Sequence, residues 1–159
     1  MTGLQQKLVQ LEADYHNLLK CYREIAAGRE EEISWMKNND MEALLDYLKE
    51  KEAIMDQAEL YRRQIQETQA LIAAENNLES FSIPSLKEKL FPTLVEQLDR
   101  IGELINTLIE ELTTLEVQEK QLEQILRQRT GIISGEVNKS QKQKIAKKAY
   151  SNVPKLPKK

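Results

Sequence analysis

The chain has 159 residues, the size of one ordinary domain. Hydrophobic residues make up 40%, aromatics 5% and charged residues 31%, with only 5 Gly and 4 Pro. That is too few turn residues and aromatics for a β-barrel or sandwich, and the Ala, Glu, Lys, Leu, Arg and Gln bias is that of long helices or coiled coils. The net charge of −3 hides a split along the chain. Residues 1–135 carry 15 Lys and Arg against 25 Asp and Glu, a net −10, and residues 136–159 carry 8 Lys against Glu136, a net +7. Cys21 is the single cysteine, so no internal disulfide forms, which fits a reducing cytoplasm. No apolar run is long enough to span a membrane, and Met1–Gln6 lacks the basic start and apolar core of a signal peptide. These features point to a cytoplasmic protein with no membrane insertion.

From Leu4 the apolar spacing alternates four and three: Leu4, Leu8, Leu11, Tyr15, Leu18, Tyr22, Ile25. This places one side chain per turn on a single helical face. The heptad then fails, because its next positions are Arg29 and Glu32, and the stripe resumes at Ile33 and Met36. The eleven-residue step keeps the face, so the spacing predicts one long helix over about 4–37, weakened at Gly28 by about 1 kcal/mol relative to Ala. Lys37-Asn38-Asn39-Asp40 reads as a turn, since Asn and Asp side chains satisfy free backbone amides. A second helix is predicted over about 40–77, with Met41, Leu44, Leu45, Leu48, Ile54, Met55, Ala58, Tyr61, Ile65, Thr68 and Ile72 on or near one face.

Residues 78–92 form the predicted connector. Within and just beyond it, Ser85-x-x-Glu88 and Thr93-x-x-Glu96 read as capping boxes, the first opening a single helical turn and the second the third helix. That helix, over about 93–130, has the cleanest seam: Leu94, Leu98, Ile101, Ile105, Leu108, Leu112, Leu115, Leu122 and Leu126, with Glu119 as the one polar insertion. Helices of some 35 residues are about 50–55 Å long. The expected fold is all-α: an elongated antiparallel three-helix bundle over 1–135, followed by a flexible basic tail over 136–159. Pro154 and Pro157 stop any tail helix.

Enzyme chemistry finds little support. His16 is the only histidine, and Cys21 lies five residues on, roughly 140° around the helix. The two do not face each other as a nucleophile and base would. No Gly-rich phosphate loop is present, and the run Glu30-Glu31-Glu32 reads as a solvated face. No cofactor and no metal site are therefore expected. The tail lysines can replace counterions on phosphates, but the tail has no Arg and only Tyr150 to stack, and the body is acidic. No nucleic-acid partner is expected. Two surfaces remain as protein-binding candidates. In the tail, Ile145, Tyr150, Val153 and Leu156 are spaced apolar anchors among lysines. On the bundle, Leu19, Val95, Ile109 and Val117 flank the seams.

The stretch from Glu31 to Arg62 resembles the FlgN family of flagellar export chaperones. The likeness rests on Tyr15-x-x-Leu18-Leu19, the Asn39-Asp40 turn, Leu44-Leu45, the cluster Lys49-Glu50-Lys51-Glu52 before Ile54-Met55, and Leu60-Tyr61-Arg62. Asn106-x-Leu108-Ile109 is similar to the family's Asn-x-x-Leu-Leu region. The resemblance implies a small cytoplasmic chaperone without catalysis. Such proteins bind the hook–filament junction (hook-associated) proteins through their C-terminal helical segments and deliver them to the flagellar export gate. It implies client binding by the third helix and tail, assigned here to Leu108, Leu112, Leu115, Leu122, Leu126, Ile145, Val153 and Leu156, and gate contact by Tyr150. A structural coiled-coil adaptor or homodimer with no client, and a nucleic-acid-associated protein with a basic tail, stand as alternatives.

Overall fold

A computed structural model of the chain describes residues 3–89 and 92–132. Every regular element among them is an α-helix: α1 (Gly3–Ala27), α2 (Arg29–Lys37), α3 (Met41–Glu75), α4 (Ile83–Lys89) and α5 (Pro92–Ile132). The tail assigned to 136–159, with Ile145, Tyr150, Val153 and Leu156, lies outside the described residues.

α1 and α2 together run alongside both α3 and α5, and α4 packs on α5. The cross-helix pairs give the directions. Lys7 meets Glu75 at 2.6 Å and Gln69 donates to Tyr15 Oη at 2.6 Å, so α1 and α3 are antiparallel. Arg100 meets Glu12 at 3.1 Å and Arg29 meets Glu119 at 2.7 Å, so α5 runs parallel to α1 and α2. The chain thus goes up, down and up again, with α4 as the crossing turn. No helix among the described residues is long and apolar enough to cross a membrane.

The two turns are set by asparagine. Asn39 and Asn77 hold the only positive φ angles among described non-glycine residues, 55° and 57°. At the first, Asp40 N donates to Trp35 O (2.9 Å) and Asn39 N to Met36 O (3.4 Å). At the second, Leu78 N donates to Ala73 O (2.8 Å) and Asn77 N to Ala74 O (3.4 Å). Both are Schellman closures with Asn in the left-handed position. Asp40 then caps α3 by accepting from Ala43 N.

Three expectations about helix ends are corrected. The first long helix is interrupted at Gly28, where ψ is 3° instead of helical, although Glu32 N still donates to Gly28 O at 3.1 Å. The position also selects glycine on steric grounds. A Cβ on Gly28 would lie 2.7 and 2.8 Å from Cζ and Cε1 of Tyr47, so only glycine lets the α3 ring lie against this backbone. Gly28→Ala is expected to cost about 1–3 kcal/mol, as overpacking does, read as a lower urea midpoint at unchanged m-value. The connector helix is capped by Ser82, which accepts from Ser85 N at 3.3 Å, so the cap lies three residues before the Ser85 box. α5 starts at Pro92, with Thr93 inside its first turn, because proline's fixed φ and missing amide suit a helix start.

Candidate functional site

Following the heptad through the fold changes the reading of the charged residues. Leu8, Leu11, Tyr15, Leu18, Tyr22, Ile25, Arg29, Glu32 and Met36 are all buried, in unbroken four–three spacing. Arg29 and Glu32 therefore do not end the seam; they occupy it. The Glu30–Glu32 run is solvated only at its first two members, for Glu32 is 0% exposed. On α3 the same spacing gives Leu44, Leu48, Lys51, Met55 and Ala58, with Lys51 at 1% exposure. On α5 it gives Leu112, Leu115, Glu119, Leu122 and Leu126, with Glu119 at 4%.

These four charges meet in one layer. Lys51 Nζ donates to both Glu32 oxygens at 3.2 Å and lies 2.7 Å from Glu119 Oε1. Arg29 Nη1 donates to Glu119 Oε1 at 2.7 Å and lies 3.9 Å from Glu32 Oε1. Two cations and two carboxylates cancel formally, which is what allows them to be buried together. Arg29 Nε and Nη2 are buried without a hydrogen-bond partner. Burial pushes the Glu32 carboxyl above its ordinary value, with Lys51 opposing the rise and Glu119 adding to it. Tyr47 lies beside the layer and its ring packs on Trp35 at a centroid distance of 5.5 Å.

The layer separates two apolar cores. The larger joins twenty buried residues of α1, α3, α4 and α5, from Leu8 and Ile72 through Met55 to Leu115. The smaller is a tip of five, Met36, Leu44, Leu48, Leu122 and Leu126, lined by half-buried Ile33, Trp35, Met41 and Ile125.

The leucines assigned to a client are divided between these cores. Leu108, Leu112 and Leu115 lie in the large one and Leu122 and Leu126 in the tip, each at 6% exposure or less. Their seam faces the chain's own α1, α2 and α3, so in the closed bundle it offers no partner surface. Of the flanking residues, Leu19 is core and Val95 half-buried, whereas Ile109 and Val117 stand 37% and 54% exposed on α5. Val9, Leu60 and Leu71 are exposed on the other long helices.

His16 is exposed on α1 and borders a shallow depression with Leu19, Lys20, Arg23, Glu24 and Ala27. Cys21 is buried, and burial followed by the nearby Glu24 charge raises its thiol above the ordinary range, the opposite of an activated cysteine. No group of three or more His, Cys, Asp or Glu placed to hold a metal occurs among the described residues.

Two buried phenols, Tyr15 and Tyr22, and the half-buried Tyr47 give a titration signature. Tyr15, Tyr22 and Tyr47 are all raised above the usual tyrosine value, chiefly by burial. Only Tyr15 is moderated by a hydrogen bond, from Gln69, and Tyr22 Oη has no partner. A raised folded-state value means that this contribution is complete below about pH 10 and is lost as pH rises beyond it. Phenolate absorbance from these three is therefore expected to appear together with loss of the helical circular dichroism signal, above the range of free tyrosine.

The sequence matches no family model, no curated protein and no solved structure.

Proposed function

We propose that this chain is a non-catalytic cytoplasmic chaperone. It binds the C-terminal helical segments of flagellar hook–filament junction proteins and hands them to the export gate. The observation that carries the reading is the outer flank of α5, where Ile109 and Val117 remain exposed although the seam beside them is fully buried. The resemblance to FlgN-type chaperones supplies the client class, and the lysine-rich extension with its spaced apolar residues supplies a second contact. A client helix that has no polymer to pack against gains burial here. Covering ~600 Å2 of apolar area yields ~15 kcal/mol gross, and association and ordering offset much of it.

Calorimetry with C-terminal fragments of junction proteins tests the proposal. The full chain is expected to bind one such fragment with micromolar affinity or better. The double substitution Ile109→Asp/Val117→Asp and deletion of 136–159 are each expected to weaken binding about tenfold, or 1.4 kcal/mol. Absence of binding by the intact chain would remove the proposal. Unchanged affinity in both variants would remove this surface from it.

A further inference from the structure

The division of the core by a charged layer has consequences for how the molecule opens. Apolar contact forms two separate clusters, of twenty and five buried residues, with Arg29, Glu32, Lys51 and Glu119 between them. Each fully buried apolar side chain contributes roughly 1.5–3 kcal/mol, so the tip holds a small share of the folding energy. Coupling between the clusters runs through ion pairs and three helical backbones. One of those backbones is broken at the same level: α2 starts at Arg29 after Gly28, and no side chain caps it. The other end of the tip is the turn at 38–40.

We infer that the bundle consists of two cooperative units that meet at the Arg29–Glu32–Lys51–Glu119 layer. The distal unit, α2 with residues 41–48 and 122–128, opens reversibly ahead of the rest and hinges at Gly28. Opening uncovers Met36, Leu44, Leu48, Leu122 and Leu126, the five buried residues of the tip. The inference goes beyond the proposed client binding and does not depend on it.

The protein carries its own reporter. Trp35 is the single tryptophan and packs on the tip cluster, whereas far-UV circular dichroism follows all the helices. In urea, the Trp35 fluorescence transition of the full chain is expected at a lower midpoint than the 222 nm transition. Coincident transitions, the mark of a single cooperative unit, would overturn the inference. In the variant Arg29→Met/Glu32→Leu/Lys51→Met/Glu119→Leu the layer joins the two cores, and the transitions are expected to merge. A separation as wide as in the parent chain would show that the layer is not the boundary. Native-state hydrogen exchange of the unmodified chain gives a test that needs no variant. Amides of residues 32–37 and 45–48 are expected to exchange on the order of 100-fold faster than those near the middle of α1. Equal protection in the two regions would refute sub-global opening.

Discussion

Lys51→Met lowers the unfolding free energy by about 3–5 kcal/mol, the largest single loss expected from the charged layer. The substitution keeps most of the side-chain volume, so packing contributes little to the loss. What changes is that Glu32 and Glu119, 0% and 4% exposed, lose the ammonium that lies between them. Arg29 remains, yet its close contact is with Glu119, and Glu32 Oε1 is 3.9 Å from it. The loss carries a pH signature. The Glu32 carboxyl is already raised by burial with Lys51 opposing the rise, so removing Lys51 raises it further. A carboxyl raised in the folded state contributes most below its unfolded value of about 4.3 and loses that contribution as pH climbs through the folded value. The variant should therefore lie closest to the parent in urea midpoint at mildly acidic pH and fall furthest behind near neutrality. A pH-independent gap would mean that Glu32 does not sense Lys51. A gap at acidic pH that is clearly wider in Lys51→Ala than in Lys51→Met would point to packing as the cause.

The helices themselves were legible because their signal is periodic. Leu4 to Ile25 and Leu94 to Leu126 repeat with a spacing that only a helical face explains, and the all-α bundle follows from it. The turns were legible too, since Asn39-Asp40 and Asn76-Asn77 carry the residue types that close one helix and cap the next. The charged layer was missed for a definable reason. Reading polar residues as the end of a seam is sound for one helix, where Arg29 or Glu119 has no buried partner. Three seams considered together give a different answer, because a basic and an acidic residue on the first, Lys51 on the second and Glu119 on the third sit at seam positions and balance in charge. Complementarity across segments was the available signal. Gly28 was read as a weak helix residue because the ring that requires it, Tyr47, belongs to another helix and is nineteen positions away. The α5 leucines were read as a partner's surface for a similar reason: periodicity shows that a face is apolar, and only packing shows which helix covers it.

Replacing the whole layer with apolar residues, Arg29→Met/Glu32→Leu/Lys51→Met/Glu119→Leu, has the opposite expected effect: a gain of about 1–4 kcal/mol in unfolding free energy. The ion pairs offset the desolvation of four charges only in part, as the two unpartnered Arg29 nitrogens indicate. Packed methyl and thioether groups carry no such penalty. If the layer weakens the fold, axial register is the property it is expected to control. Seams of leucine and isoleucine repeating every seven residues can slide by one heptad, about 10.5 Å, and still place apolar groups against each other. A slide of that size would set Lys51 against Leu112 or Leu126 and leave charges buried against hydrocarbon. Only the native alignment brings Arg29, Glu32, Lys51 and Glu119 to one level. The fully apolar variant is accordingly expected to be more stable to urea and less unique, with broadened or doubled amide resonances at the tip, where α2 is short and held at one end by the Gly28 hinge. Retaining one complementary pair, Lys51 and Glu119, in an otherwise apolar layer should restore a single set of resonances at a smaller gain in stability. A fully apolar variant with one sharp set of resonances would show that register is fixed by the turns and the large core alone.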